Sequence, residues 1–394
     1  MENEIHLLTI ATQSGKQESI FTSGFPIWVL GNDKKINRIN KGDFFMPRQI
    51  NVGIIGAGWP AWQHIKGYQK LENVKVLALC DINKEILTKI AREYNVPKTF
   101  TKYEDMLKLK EIDAVSVCTP NFQHVPQVID SLNAGKHVIC EKPLSVNTEE
   151  ANKIVEPLRK SKKKFMIAQV KRFANESRYL KKLINDNELG RIYYSKIKYL
   201  RRAGIPGIGS WFTTKKYSGG GALIDCGVHV LDQTWWLMGC PKPVEIFGST
   251  YAEFGPKGLR DSNWSVSKNR TKIFDVEDLA IGAIKFDNGA TICIETSWAM
   301  NIKEDSQVSC SLYGTDGGAE LSPLKLLKYV NDCPNWIEPK IPENNMFDEE
   351  IRHFVDCITE DKKPTVTLEH GITMMKIMDG IYKSAETGRS VTIR

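Results

Sequence analysis

The sequence contains no long apolar segment. None of its 394 residues lies in a run that approaches the roughly 18 consecutive apolar residues of a membrane-spanning helix. The first residues include Glu2 and Glu4 and lack a basic start followed by an apolar core, so we expect no secretory signal. The sequence therefore predicts no association with a membrane.

Paired cysteines are also absent. The nine cysteines occur singly, as at Cys80, Cys118 and Cys140, and no C-x-x-C pair is found. This pattern indicates neither a zinc site nor a disulfide framework, so we expect no bound metal. Single reduced thiols are typical of the cytoplasm, and the sequence predicts a cytoplasmic protein.

Charge of one sign is not concentrated in the chain. The formal net charge of +7 is modest for this length, and the lysines are scattered apart from a cluster at residues 162–164. We interpret that cluster as a solvated edge and expect no nucleic-acid partner. A hydrophobic content of 41% is enough for sizeable cores, and the length predicts two domains.

What the sequence does contain is a strand followed by a glycine-rich turn. Residues 50–55 form an apolar run with β-branched residues, as in a buried parallel strand. The next six residues, GAGWPA, fit the G-x-G-x-x-A fingerprint of dinucleotide-binding folds. Gly56 permits the tight turn, Gly58 lets the backbone reach a pyrophosphate, and Pro60 suits the first position of a helix. The candidate cofactor-binding residues here are Gly56, Gly58, Trp59 and Pro60.

An acidic residue stands at the spacing that this fingerprint requires. The second predicted strand, 74–80, ends at Asp81, twenty residues after Ala61. A carboxylate there accepts hydrogen bonds from both ribose hydroxyls, which favours NAD over NADP. The alternative interpretation is an ordinary helix N-cap before Lys84.

The two halves of the chain differ in their pattern. Strands and helices alternate from Ile50 to Val170, which predicts a doubly wound parallel sheet of the Rossmann type. The second half has successive strands without intervening helices, predicted at 192–201, 244–253, 276–286, 290–300 and 307–313, and then two helices at 347–359 and 368–387. This pattern predicts an α+β domain with an open, mostly antiparallel sheet.

These patterns divide the chain into three parts. We predict an N-terminal arm over 1–47, a nucleotide-binding domain over 48–170, and a second domain over 171–394 that binds substrate and supports oligomerisation. The arm has two predicted strands, at 5–11 and 19–30, and a polar linker at 32–41. A segment this small cannot bury a core alone, so it is either disordered or lies on the body or on a neighbouring subunit.

A second glycine run, Gly219–Gly221, leads into an amphipathic helix. These glycines let another backbone or a flat ligand approach closely. Asp225 and His229 are four residues apart, which places both side chains on one face. A carboxylate that orients an imidazole makes it a suitable general base. The alternative is a surface pair that stabilises its own helix.

A lysine follows a predicted strand at the edge where doubly wound sheets bind ligands. Lys142 comes directly after the run 137–141 and is followed by Pro143, which restricts the chain. Burial and neighbouring cations would lower the pKa of such a lysine and suit it to proton transfer. The alternative is an ordinary surface lysine.

Several motifs together resemble the Gfo/Idh/MocA family of oxidoreductases. They are GIIGAGWPA, CDIN, CTPNFQH, CEKP and GGGALIDCGVHVLD, in this order from about residue 50 onward. The resemblance implies that Lys142, Asp225 and His229 are catalytic. It also implies that the cofactor cleft is lined by Thr119, Asn121, His124, Glu141 and Lys142, and that the open sheet builds a homo-oligomer, a dimer, a tetramer or larger.

The segment between the first predicted strand of the second domain, 192–201, and the second glycine run is a candidate wall of the substrate cleft. Aromatic faces stack on sugar rings, and arginines bind hydroxyl or acidic groups. The candidates are Arg201, Arg202, Trp211 and Phe212, and Arg172 just after the last parallel strand has the same status. The alternative is a packed loop with solvated arginines.

We therefore expect an NAD-dependent oxidoreductase that acts on a secondary hydroxyl of a sugar, glycoside or cyclitol. His229 takes the hydroxyl proton, Lys142 polarises the oxygen or relays the proton, and Asp225 orients His229. A glycosidase or lyase that oxidises a ring hydroxyl transiently needs the same residues and stays open as an alternative. A non-catalytic NAD-binding protein is a third hypothesis, which the intact Lys/Asp/His set argues against.

Overall fold

The computed structural model describes residues 48–262 and 273–393, together with the backbone of four strands within residues 6–38. The chain divides into two compact units, Met1–Arg48 and Gln49–Arg394. The boundary predicted near residue 170 lies within the second unit, whose larger apolar cluster includes residues on both sides of it. The division of this unit into a nucleotide-binding and a substrate-binding domain stays a prediction.

The first unit contains a four-stranded antiparallel sheet in the order β1-β2-β3-β4. Its strands are β1 (His6–Ala11), β2 (Gln17–Thr22), β3 (Trp28–Leu30) and β4 (Ile36–Arg38). The second predicted strand is thus two strands, and β4 lies in the predicted linker because pairing with β3 supplies hydrogen bonds that composition does not reveal. The arm's side chains lie outside the described part, so its predicted packing stays a prediction.

The predicted Rossmann-type sheet is confirmed, with six parallel strands in the order β10-β9-β8-β5-β6-β7. They are β5 (Ile50–Ile55), β6 (Val74–Cys80), β7 (Lys98–Phe100), β8 (Ala114–Val117), β9 (His137–Glu141) and β10 (Phe165–Ala168). β7 was not predicted, because three residues are too few to show the alternation of apolar and polar residues that is typical of a strand.

Helices cover this sheet at α1 (Trp59–Gln69), α2 (Lys84–Glu93), α3 (Tyr103–Leu107), α4 (Asn121–Asn133), α5 (Thr148–Asn152) and α6 (Val155–Ser161). The carboxyl ends of β5, β8 and β9 lie side by side, and each leads into one of the motif segments. This adjacency assembles the nucleotide edge of the site.

The second sheet has nine strands in the order β18-β17-β16-β15-β11-β14-β13-β12-β19. Its strands are β11 (Ile192–Arg201), β12 (Pro243–Tyr251), β13 (Leu279–Phe286), β14 (Thr291–Ser297), β15 (Ser306–Gly314), β16 (Gly318–Leu321), β17 (Lys325–Val330), β18 (Cys333–Ile337) and β19 (Val391–Thr392). All pairs are antiparallel except β11 with β14, so the mostly antiparallel prediction is confirmed.

The remaining helices are α7 (Asn175–Asn185), α8 (Lys215–Ser218), α9 (Val228–Leu237), α10 (Met346–Thr359) and α11 (Leu368–Thr387). A π turn, Leu223–Gly227, continues directly into α9. α11 begins at a capping box formed by Thr367 and His370, and it packs against both β10 and β12. This helix therefore connects the two sheets. No helix among the described residues is long and apolar enough to cross a membrane.

Candidate active site

The first glycine turn has the geometry that a pyrophosphate needs. Gly56 has φ +97°, and a Cβ there would lie 2.4 Å from the Cys118 carbonyl oxygen, so the turn requires glycine. A Cβ at Gly58 would meet only Pro60 Cδ, at 3.8 Å, which leaves the space above this backbone open. The first turn of α1 contains no acidic residue and no capping side chain, so its N–H groups are available to an anion.

Asp81 is tied to this turn. Its Oδ2 accepts a hydrogen bond from the Ala57 N–H at 2.8 Å, and its Oδ1 accepts one from the Asn83 N–H at 2.7 Å. The N-cap of α2 is Asn83, so the interpretation of Asp81 as that cap is wrong. Each carboxylate oxygen keeps a second lone pair for a ribose hydroxyl. The residue after it, Ile82, is 90% exposed and adds no cation for a 2′-phosphate.

His124 and Asn121 stabilise loops. The His124 ring is buried, with Nδ1 2.7 Å from the Pro143 carbonyl oxygen and Nε2 2.7 Å from the Thr119 carbonyl oxygen. Asn121 donates through Nδ2 to the Ser218 carbonyl at 2.7 Å. The expectation that the His124 side chain binds cofactor is corrected, because protein carbonyls lie against both of its ring nitrogens. The contact of Asn121 uses one N–H of its amide, and its assignment to the cofactor cleft stays a prediction. Thr119 stays partly exposed at the edge.

Glu141 also faces the protein interior. Its Oε1 lies 3.2 Å from His64 Nε2, and its Oε2 accepts the Lys142 backbone N–H at 3.1 Å. His64 Nδ1 in turn lies 3.1 Å from Ser116 Oγ. The carboxylate therefore holds the backbone of Lys142, and its predicted direct contact with cofactor stays a prediction.

Lys142 and Asp225 meet across 83 residues of sequence. Lys142 Nζ donates to the Asp225 carbonyl oxygen at 2.9 Å and to its Oδ1 at 3.2 Å. Asp225 Oδ2 accepts from the indole Nε1–H of the fully buried Trp298 at 2.9 Å. Burial opposes ionisation of Asp225, but Lys142, Arg201 and Trp298 together hold its pKa below the usual value. An ionised Asp225 thus fixes the ammonium group of Lys142.

The predicted Asp225–His229 pair is not the arrangement in the structure. Both Asp225 oxygens bind other donors, and His229 Nδ1 is buried without a hydrogen-bond partner among the described residues. The Asp225 carboxylate binds the ammonium and indole groups because hydrogen bonds from a charged donor and from a buried N–H are more stabilising than one from a neutral imidazole. Burial, and then the charges of Lys142, Lys171 and Arg201, lower the pKa of His229 well below its usual value. The ring is therefore neutral in the free protein.

The second glycine run is filled by protein. A Cβ at Gly221 would lie 1.9 Å from the Glu277 carbonyl oxygen, and one at Gly220 would lie 1.9 Å from Tyr382 Oη. The prediction of a close approach is thus correct, and the approaching group is a backbone and a ring of this chain. The turn sets where the π turn and α9 begin.

The predicted substrate residues do not form one wall. Arg172 is 1% exposed and makes a two-point ion pair with Asp232 at 2.7 and 2.6 Å, so assigning it to substrate is wrong. Arg202 is exposed and binds Asp305 and the Lys303 carbonyl. Trp211 stacks on Phe212 with ring centroids 3.8 Å apart. Arg202 therefore fits the alternative of a solvated arginine, and the assignment of the half-buried Trp211 to the substrate cleft stays a prediction.

Sequence reasoning missed Lys171, the neighbour of Arg172, and named Arg201 only as a candidate wall of the substrate cleft. Lys171 and Arg201 act electrostatically on His229, and Lys171 has no ion pair among the residues that the structure describes. Arg201 lies over the Tyr199 ring at 5.2 Å. Strand alternation separates Arg201 from Arg202 but does not say which one faces the site. Lys171 follows β10 in a tight 3-10 turn, where strand alternation no longer applies.

Together, the first glycine turn, the acidic residue after β6 and a Lys142–Asp225 ion pair four residues before His229 define a dinucleotide-dependent oxidoreductase. Residues 50–169 match the NAD-binding Rossmann fold of an oxidoreductase family, and residues 181–393 match the C-terminal alpha/beta domain of that family. The chain belongs to this family, Gfo/Idh/MocA, as its motifs indicated.

Individual relatives agree with this assignment. The chain is 30% identical over 346 residues to D-glucoside 3-dehydrogenase of Escherichia coli (strain K12), covering 87% of this chain and 97% of that protein. It is 27% identical over 286 residues to levoglucosan dehydrogenase of Pseudarthrobacter phenanthrenivorans, covering 68% and 73%. A solved structure of levoglucosan dehydrogenase in complex with NADH shares the fold, with a TM-score of 0.78 at 22% identity over 88% of this chain and 100% of that one.

Proposed function

We propose that this enzyme transfers a hydride between a secondary hydroxyl of a sugar, glycoside or cyclitol and NAD. The observation that carries the proposal is the ammonium group of Lys142 held by Asp225, four residues before His229, at the edge of a nucleotide-binding sheet. Relatives named as a glucoside 3-dehydrogenase and a levoglucosan dehydrogenase support a carbohydrate, with sugar C3 as a candidate position.

The cofactor half of the proposal rests on the first glycine turn. The open backbone at Gly58 and the α1 N-terminus would hold the pyrophosphate, and Asp81 would accept the ribose hydroxyls. When bound, NAD supplies the nicotinamide carbon that receives the hydride. We propose NAD over NADP because a 2′-phosphate would lie against the carboxylate of Asp81.

The proton half rests on Lys142 and His229. The Lys142 ammonium has three N–H donors, and two of them bind Asp225, which leaves one that these contacts do not use. That donor would stabilise negative charge on the reacting oxygen while the neutral His229 ring takes the hydroxyl proton. The hydroxyl thus loses a proton to His229 and its carbon loses a hydride, which leaves a carbonyl. Asp225 positions Lys142 rather than His229.

The assembly and the location of the enzyme are further parts of this proposal. Aromatic side chains stay exposed on strands of the nine-stranded sheet, namely Tyr193, Phe247, Tyr251 and Tyr313. We expect a second copy to cover them in a homo-oligomer. All nine cysteines are free thiols, which favours a cytoplasmic enzyme.

A substrate screen tests the proposal. The protein is incubated with NAD and a panel of sugars, cyclitols and glycosides, while NADH is followed by absorbance and products by mass spectrometry. We expect NADH and a product two hydrogens lighter in equal amounts. Cleavage of a glycoside without net NADH would support the glycosidase or lyase alternative. Intact NAD binding with neither outcome across the panel would contradict the proposed function.

A further inference from the structure

Glu277 is a buried carboxylate that contacts the start of the segment 221–229, which carries Asp225 and His229 and is called the catalytic segment below. It precedes β13 in sequence and is 6% exposed. Its Oε2 accepts the Gly221 N–H at 2.8 Å, its Oε1 accepts the Leu223 N–H at 2.9 Å, and its backbone oxygen accepts the Ala222 N–H at 3.2 Å. Three successive N–H groups at a helical N-terminus are therefore satisfied by one distant residue.

Tyr382, on α11, completes this contact. Its hydroxyl donates to Glu277 Oε1 at 2.9 Å. Its ring lies so close to Gly220 that a Cβ there would stand 1.9 Å from Oη and 2.5 Å from Cζ. Tyr382 thus fixes the carboxylate from one side while it packs on the glycine run from another.

The position of this helical start determines the geometry of the lysine contact. Asp225 lies two residues after Leu223 and receives Lys142 on its carbonyl oxygen at 2.9 Å and on Oδ1 at 3.2 Å. These contacts weaken steeply when donor and acceptor separate. A misplacement of about 1 Å at a reacting centre lowers turnover by about 100-fold.

We infer that Glu277 and Tyr382 are positioning residues that set the Lys142–Asp225 contact and hence the rate of hydride transfer. The inference rests on the proposed function. The inference also extends that proposed function. Because α11 packs against both sheets, Tyr382 links the catalytic segment to the packing of the whole second unit.

Two substitutions of different severity test the inference. Tyr382→Phe removes one hydroxyl and keeps the ring, and we expect single-turnover hydride transfer at saturating NAD and substrate to slow about threefold to tenfold. Glu277→Gln places an NH₂ group against a backbone N–H, and we expect a loss of about 100-fold. NAD affinity stays unchanged in both variants, and the loss appears in kcat rather than in KM.

Tyr103→Phe is the matched control. Tyr103 donates to Asp130 Oδ2 at 2.8 Å in the nucleotide-binding half, so this variant loses the same kind of hydrogen bond away from the site. We expect wild-type hydride transfer in this variant. A positioning role therefore predicts a difference in turnover between the two tyrosine variants even when their melting temperatures fall equally.

A double variant tests the contact with Gly220. Gly220→Ala forces the Tyr382 ring away and is expected to slow hydride transfer more than Tyr382→Phe does. Tyr382→Leu removes the clashing atoms, so the double variant Gly220→Ala/Tyr382→Leu should transfer hydride as fast as Tyr382→Leu alone. Strictly additive losses would contradict the proposed contact.

Amide hydrogen exchange over residues 221–225 provides a readout that does not depend on any substrate. We expect faster exchange in Tyr382→Phe than in the wild type or in Tyr103→Phe. Unchanged exchange, or a folded Tyr382→Phe and Glu277→Gln with wild-type turnover, would overturn the inference. A wild-type protein that transfers no hydride would contradict the proposed function instead, and the exchange result would still decide the positioning role.

Discussion

The two glycine-rich turns of this enzyme use the same residue for opposite purposes. At Gly58 the space above the backbone is open, and a Cβ would meet only Pro60 Cδ at 3.8 Å. At Gly220 and Gly221 the equivalent space is filled by Tyr382 and by the backbone of Glu277. Glycine in the first turn leaves room for a ligand, whereas glycine in the second lets two parts of the chain approach. A run of glycines therefore reports close approach and does not say by what.

The largest expected effect on the rate of hydride transfer comes from replacing the side chains at the second turn and their lysine partner. His229→Ala and Lys142→Ala should each slow hydride transfer by about 10²–10⁴-fold, the usual contribution of a general acid or base. Binding of NAD at the first turn should stay close to that of the wild type. The measurement is single-turnover transfer with NAD prebound, with a melting curve for each variant. Near wild-type transfer in His229→Ala would remove the role of this residue as the base.

The glycines themselves provide the direct test of the comparison. Gly221→Ala should destabilise the fold by about 3 kcal/mol or more, because its Cβ overlaps a backbone oxygen that cannot move freely. Gly58→Ala should leave the melting temperature unchanged and weaken NAD binding. Thermal melting and NAD titration of both variants measure these effects. The comparison fails if Gly58→Ala unfolds the protein or if Gly221→Ala melts like the wild type.

A smaller effect is expected at Asp81, which borders the first turn. Asp81→Ser removes the charge that opposes a 2′-phosphate, and we expect the preference for NAD over NADP to narrow about tenfold, equivalent to about 1.4 kcal/mol. Tryptophan fluorescence titration with both cofactors measures the ratio. Asp113→Ser is the control, since Asp113 also accepts a backbone N–H, from Asn51 at 2.9 Å, at the opposite edge of the sheet. Tighter NADP binding in the wild type would contradict this assignment.

The smallest expected effect is a change in pH dependence. Lys171 is one of three cations that lower the pKa of His229, after burial as the main cause. Lys171→Met should raise that pKa, so the ring becomes protonated at a higher pH and the acid limb of hydride transfer moves upward. We expect less than about one pH unit, because burial remains. The exposed Lys162→Met serves as the control for the pH profile of kcat/KM, and an acid limb that stays in place would argue against this electrostatic coupling.

Much of the nucleotide-binding half was predictable from short segments. Residues 50–55, the turn at Gly56 and Gly58, and Asp81 follow one another at fixed spacings, so local sequence carries the geometry. Predictions failed where a side chain's direction depended on packing. His124 was expected at the cofactor and instead holds two neighbouring loops, and Arg172 was chosen where Lys171 is the residue that acts on His229.

Periodicity and motif spacing are local properties of a chain, so they were enough to predict most strands and helices of the nucleotide-binding half and the two glycine turns, and to nominate Lys142, Asp225 and His229. The partners of these residues depend on contacts that form only in the folded protein. Asp225 pairs with Lys142 and Trp298, and Glu277 supports the helix from 56 residues beyond Gly221. Such contacts join distant segments, and the competition among buried donors for one carboxylate is settled only when the core has closed around them.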